Sequence, residues 1–150
     1  MFMGEYQHSI DKKGRIILPA KFRSSLAEKY IDKFVITRGY DDCLSVFPIN
    51  EWKIYETSLR TLSQNNADTR YFLRLLYANA TETALDKQGR MFIPADLRTK
   101  VAIVKDVTVI GQMNLMEIWS KDKWNDYLAK GKDKPFESVA QKLFDLGIMK

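Results

Sequence analysis

The stretch that decides the fold occurs twice: DKKGRIILPAKFR at residues 11–23 and DKQGRMFIPADLR at residues 86–98. Seven of the thirteen positions are identical, and Ile16/Met91, Ile17/Phe92, Leu18/Ile93 and Phe22/Leu97 keep their apolar character. The likeness runs on. FVITRG (34–39) parallels DVTVIG (106–111), and VFPINEWKIY (46–55) parallels IWSKDKWNDY (118–127). These later segments align at an offset of 72 instead of 75, so three residues have been lost near 27–33. Self-similarity sustained over that length marks a duplicated unit.

One copy can be read residue by residue. YQHSI (6–10) and its counterpart TETAL (81–85) alternate as half-buried strands do. Asp11-Lys12-Lys13-Gly14 and Asp86-Lys87-Gln88-Gly89 then predict type I turns. Asp is favoured at the first position, where its carboxylate accepts nearby N–H groups, and Gly at the fourth. Gly14 and Gly89 can adopt the left-handed conformation of a short bulged hairpin without a Cβ penalty. The chain returns as RIIL or RMFI. Pro19 and Pro94 end each ladder and suit a first helical position, so PAKFRSSL and PADLRTKV start short helices. Strands follow at FVITR, LSVF, VTVIG and LMEIW.

Helices follow the strands. Residues 49–62 put Trp52, Tyr55, Leu59 and Leu62 on one stripe, and 68–79 form a broad apolar face of Tyr71, Phe72, Leu75 and Leu76. In the tail, Phe136, Val139, Ala140, Leu143 and Phe144 recur at helical spacing. The pattern is an α+β protein with internal pseudo-twofold symmetry. An isolated hairpin is marginal in water, so the two copies are expected to interleave into one β-barrel with both charged corners on the same face. The predicted organisation is a first repeat at 5–48, a helical linker at 49–76, a second repeat at 77–120 and a C-terminal helical region at 121–150.

Charge follows the repeat. The chain of 150 residues carries net +5. Residues 10–38 hold eight basic side chains against three acidic, and 86–105 hold five against two, whereas 41–82 are net −2 and 106–150 are balanced. Basic charge concentrated this way suggests a polyanion, of which nucleic acid is the commonest. The single cysteine, Cys43, rules out an internal disulfide and fits a reducing compartment. No apolar run approaches the roughly 20 residues of a membrane helix, and the first residues lack the pattern of a signal peptide.

Two readings of the corner compete. In the first, Asp11 pairs with Arg15 and Asp86 with Arg90 merely to close the hairpins. But a turn needs only Asp and Gly; it does not need Lys12, Lys13 and Lys87 at its tips. Enzymatic readings find little support. His8 and Cys43 are each alone of their kind, so neither builds a zinc site, and His8 is expected to be structural or at the surface. Asp11 and Asp86 have no third group for acid–base work. No phosphate-cradling glycine string occurs, and no cofactor or metal is implied. Trp52, Trp119 and Trp124 read as core or subunit interface.

Two copies of D-K-x-G-R, each followed by three apolar residues and Pro-Ala, resemble the MraZ family of transcriptional regulators. The resemblance covers roughly residues 1–127 and says little of the tail. It implies a barrel of SpoVT/AbrB-type swapped hairpins, formed within one chain. It also implies a ring-shaped homo-oligomer, commonly an octamer, in the cytoplasm at the nucleoid. The partner it implies is double-stranded DNA, bound at direct repeats upstream of a division and cell-wall gene cluster, often autoregulatory. Family DNA contacts carry over to Lys12, Lys13 and Arg15 in the first copy and to Lys87 and Arg90 in the second. The second copy departs at Gln88, where the first has Lys13. An antidote-like module that grips a toxin through its apolar tail is the alternative of the same fold.

Overall fold

The computed structural model describes all 150 residues. The first copy runs β1 (Phe2–Ser9), β2 (Arg15–Ile17), α1 (Ala20–Glu28), β3 (Lys33–Arg38), β4 (Leu44–Pro48), α2 (Ile49–Leu59) and α3 (Ala67–Ala78). The second repeats the order as β5 (Thr81–Ala84), β6 (Arg90–Phe92), α4 (Ala95–Lys100), β7 (Asp106–Met113), β8 (Leu115–Ser120), α5 (Lys121–Lys130) and α6 (Phe136–Asp145).

Helix starts follow from local chemistry. Each of the four prolines caps a helix: Pro19, Pro48, Pro94 and Pro135 hold extended ψ angles of 139°, 145°, 148° and 140°. They stand one residue earlier than the first helical position expected for Pro19 and Pro94. The ring lacks an N–H, so it ends a ladder at no further loss and turns the chain into a helix. Asn66 caps α3 through its side-chain oxygen, which accepts the N–H groups of Asp68 and Thr69 at 2.8 and 3.1 Å.

Six strands form one antiparallel sheet in the order β1-β7-β8-β4-β3-β5, and β2 pairs with β6 in a ladder of its own. Exchanging the two copies maps that order onto itself. The copies interleave through their pairings. β1 lies along β7 from Phe2↔Met113 to Ser9↔Asp106, and β5 lies along β3 from Lys33↔Ala84 to Ile36↔Thr81. Thus each hairpin's first strand pairs with the third strand of the other copy.

No closed barrel is found. β1 and β5 stand at the sheet's edges, and β2 and β6 make a separate two-stranded ladder. The cause is length. β2 and β6 have three residues each, soon followed by Pro19 and Pro94, and the pairing of β6 with the first half of its own hairpin goes no further than an isolated bridge, Leu85↔Met91. A ladder so short cannot close the sheet.

One core serves both copies. Ile16, Leu18, Phe22, Phe34, Ile36 and Val46 pack in a single cluster with Met91, Ile93, Leu97, Val107, Val109 and Ile118. Each large apolar side chain so buried contributes about 1.5–3 kcal/mol, and the two halves supply ten and nine of the cluster's 19 members. A smaller cluster of Val35, Phe47, Trp52, Leu59 and Leu76 lies under α2 and α3. Thr37, fully buried, donates its hydroxyl to the Leu76 carbonyl at 2.7 Å, satisfying an acceptor in the last turn of α3. The helix faces differ from expectation at two positions: Tyr71 points outward, with Leu73 packing in its stead, and Leu62 lies exposed beyond the end of α2.

The helical layers of the two copies are unequal. Phe47, Trp52 and Tyr55 form an aromatic trio with ring centroids 5.2–5.9 Å apart. Their repeat counterparts Trp119, Trp124 and Tyr127 form another, at 5.1–5.9 Å. In the first copy α3 covers the trio with Leu76 and Tyr77. In the second, α6 buries none of its residues, and a groove of about 930 Å³ separates it from α5.

Candidate functional site

The two charged corners have the same geometry, hydrogen bond for hydrogen bond. In the first, the Gly14 N–H donates to the Asp11 carbonyl at 3.0 Å and the Asp11 N–H to the Arg15 carbonyl at 2.9 Å. One carboxylate oxygen of Asp11 accepts the N–H groups of Lys13 and Arg15, both at 2.9 Å, and the other accepts Arg15 Nε at 2.8 Å. In the second, the Asp86 carboxylate accepts Gln88 and Arg90 N–H at 2.9 Å and Arg90 Nε at 2.7 Å. Gly14 and Gly89 take φ of +85° and +75°, the left-handed turn that a residue with a β-carbon resists.

These contacts set the electrostatics. The Asp11 and Asp86 carboxyls are held below their ordinary value of 3.8, chiefly by the Arg15 and Arg90 backbone N–H groups. Desolvation opposes this, and the guanidinium hydrogen bonds reinforce it. Only two ion pairs form in the chain, and they are these two. The pairing of the first reading, Asp11 with Arg15 and Asp86 with Arg90, therefore exists. It engages Nε alone and leaves the two terminal nitrogens of each guanidinium outside the pair. Being partly exposed, such a pair adds little stability; its effect is to aim the arginine.

The β2–β6 ladder joins the corners. Arg15 stands opposite Phe92, Ile16 opposite Met91 and Ile17 opposite Arg90. Ile16 and Met91 are fully buried, so the alternation of a strand turns Arg15, Ile17, Arg90 and Phe92 to the other face. Ile17 and Phe92 are 41% and 46% exposed there. Arg15 and Arg90 are diagonal neighbours across this ladder, about 7–8 Å apart by the usual spacing. The exposed tips Lys12, Lys13, Lys87 and Gln88 flank the same ladder. All five cations singled out in the sequence thus lie on this ladder or in the turns at its ends, with Asp11, Gly14, Asp86 and Gly89 shaping those turns.

Four further residues belong to this surface. Ile17 and Phe92 could have been found from the sequence, since a period of two puts them beside Arg15 and Arg90. Arg23 and Arg98, the last identity of the thirteen-residue match, reach the corners across the pseudo-dyad: a β-carbon on Gly14 would meet Arg98 Nη2 at 3.0 Å, and one on Gly89 would meet Arg23 Cδ at 2.6 Å. Other candidates lie elsewhere. His8 is half-buried on β1, and burial, then Arg23, pushes it below its ordinary value. Cys43 is buried, and burial pushes its thiol far up. Trp52 and Trp119 are buried, and Trp124 donates Nε1 to Glu5 at 2.8 Å. No group of three or more His, Cys, Asp or Glu side chains could hold a metal ion, and no helix is long and apolar enough to cross a membrane.

A duplicated α+β unit whose copies exchange strands and present paired cationic corners defines a class of two-repeat protein. The comparisons supply the family. A model described as "MraZ protein, putative antitoxin-like" matches twice, over residues 1–75 and 76–147. The chain is 47% identical over 148 residues to a protein of Natranaerobius thermophilus named Transcriptional regulator MraZ, covering 99% of this chain and all of that one. Proteins of the same name from Clostridium beijerinckii and Thermoanaerobacter sp. strain X514 are each 49% identical over the same span. The chain belongs to the MraZ family, and the match extends past residue 127 into the tail.

Proposed function

We propose that this chain is a transcriptional regulator that binds DNA through its two corners. The observation that carries the reading is the antiparallel β2–β6 ladder, which joins two corners of the same geometry at its two ends with Arg15 and Arg90 on its exposed face. Lys12, Lys13 and Lys87 contact phosphates and supply salt-dependent affinity. Arg15 and Arg90 offer their terminal nitrogens to base edges, as a guanidinium fork does to guanine O6 and N7. A turn tip is narrow enough to enter a major groove. The relatives' name supports regulation of transcription as the purpose.

In this reading the sites are direct repeats upstream of a division and cell-wall gene cluster that includes the protein's own gene, and the protein works in the cytoplasm at the nucleoid. The interleaved hairpins are the single-chain counterpart of a swapped SpoVT/AbrB dimer. The acting form is a ring-shaped homo-oligomer, an octamer. Its support is the α5–α6 groove, lined by Trp119 and Tyr127 of the second trio, where Leu128, Phe136, Val139 and Met149 remain exposed. A second copy covering that face completes the layer.

Two measurements test the proposal. A mobility shift should retard the protein's own upstream region at concentrations that leave scrambled DNA of equal length free; equal retardation of both refutes sequence specificity. Light scattering should give a mass several times 17.5 kDa; a monomer at micromolar concentration refutes the ring.

A further inference from the structure

Each corner is built from both halves of the chain. The Gly14 carbonyl accepts the Ile93 N–H at 2.8 Å, and the Ile93 carbonyl accepts Arg98 Nε at 3.0 Å. That bond lays the Arg98 guanidinium against Gly14, with Nη2 and Cζ at 3.0 and 3.1 Å from where a β-carbon would stand. The mirror arrangement holds at the other corner. The Gly89 carbonyl accepts the Leu18 N–H at 3.3 Å, the Leu18 carbonyl accepts Arg23 Nε at 3.0 Å, and Arg23 packs on Gly89. The same chain of contacts thus forms twice from different residues. Neither arginine has an acidic partner, since the only ion pairs are those of the corners themselves. Their fixed partners are a strand-end carbonyl and a glycine.

We infer that Arg98 is the positioning residue of the Asp11–Arg15 corner and Arg23 that of the Asp86–Arg90 corner. Each arginine acts on the half of the chain to which it does not belong. This rests on the corners being the DNA-contacting elements. Glycine then has two duties at each corner: it accepts a positive φ, and it leaves room for the other half's guanidinium. Only arginine meets the geometry, because its Nε donates to the carbonyl while the rest of the planar fork lies along the turn. A lysine offers the charge but not that fork. The two corners are therefore mechanically linked, and one cannot be rebuilt from its own half.

The test uses the full-length protein with Arg98→Lys and Arg23→Lys, which keep the charge and remove the tether; Arg98→Gln replaces the lysine variant if that one does not fold. Hydrogen exchange read by mass spectrometry needs no DNA. Arg98→Lys should speed exchange in the turn at residues 11–15 by roughly three- to tenfold, the effect of losing one modest hydrogen bond that supports it. It should leave the turn at 86–90 unchanged, and Arg23→Lys should do the reverse. Faster exchange in the corner of the same half, or in neither, overturns the inference. On DNA, Arg98→Lys should be non-additive with Arg15→Ala and additive with Arg90→Ala; the opposite pattern overturns the role on DNA. A wild type that binds no DNA, with variants that show the expected exchange, overturns the reading of the corners and leaves the cross-half tether standing.

Discussion

Replacing the corner glycines by alanine should destabilise the protein unequally, although the two turns look alike. At Gly14 the cost is mainly conformational. A β-carbon at φ +85° costs about 1–2 kcal/mol, partly offset because alanine reduces the freedom of the unfolded chain by about 0.4–1 kcal/mol. Its contacts would be Arg98 Nη2 at 3.0 Å and Phe92 Cε2 at 3.1 Å, the far ends of side chains that can give by a few tenths of an ångström. The net loss is about 1 kcal/mol. At Gly89 the same backbone cost applies, but the β-carbon would lie 2.6 Å from Arg23 Cδ. That atom sits mid-chain and is anchored through Nε to the Leu18 carbonyl at 3.0 Å. The arginine must leave, and losing a half-exposed hydrogen bond adds about 1 kcal/mol. For a chain of this size each kcal/mol moves Tm by about 2–4 °C. Differential scanning calorimetry should therefore show losses of about 2–4 °C for Gly14→Ala and about 4–8 °C for Gly89→Ala. Both must be run at one protein concentration, because assembly shifts Tm by mass action. Equal losses, a larger loss at Gly14, or stabilisation at either position would refute the argument.

Arg15→Ala should weaken specific DNA binding by about tenfold or more, within the 1–3 kcal/mol of a guanidinium–base contact, and Arg90→Ala should weaken it less. The Asp–Arg distances, 2.8 and 2.7 Å, are alike, so the difference comes from Lys13 standing where the second copy has Gln88; a larger effect at Arg90, measured by fluorescence anisotropy, contradicts it. The depressed Asp11 and Asp86 carboxyls predict the sign of a pH effect. Their stabilisation is complete above the ordinary carboxylate value of 3.8 and is lost as pH falls through the lower folded value. The Tm gap between the wild type and the Asp11→Asn/Asp86→Asn double variant should therefore be constant from pH 5 to 8 and close only in acid; a gap that closes near neutrality would place the effect on other groups.

Much of this was legible in the chain, for physical reasons that can be named. Asp and Gly at the ends of a four-residue turn specify its conformation locally, so both corners could be read before any contact was known. Strand alternation told which residues share a face but not which strand lies beside which. The β1–β7 and β3–β5 pairings could be anticipated as interleaving, whereas the open edges at β1 and β5 could not. β1 also begins earlier than the YQHSI alternation suggests, because Phe2 is buried against the ring of Phe22, a contact far off in sequence. A helical period of 3.6 marks the apolar face of α6 without saying what covers it. The cross-half reach of Arg23 and Arg98 was the least legible feature. Their identity was visible in the repeat, but their partners are Gly89 and Gly14, which only the fold brings near.

The central claim is that the two corners act together on DNA, and titration on DNAs bearing one, two and three direct repeats, each at two salt concentrations, tests it most directly. One corner makes too few contacts for a specific binder, which typically reaches about 10⁻⁸ M or better. Once one corner is bound, the next binds from a high effective concentration, and avidity can rise by about 10²–10⁴ without new chemistry. Affinity should climb steeply from one repeat to three, and log affinity should fall more steeply with log salt at each step as more phosphates are neutralised. Equal affinity for all three DNAs, with one shallow salt slope, would mean that the corners do not act together and that the duplication serves the fold alone.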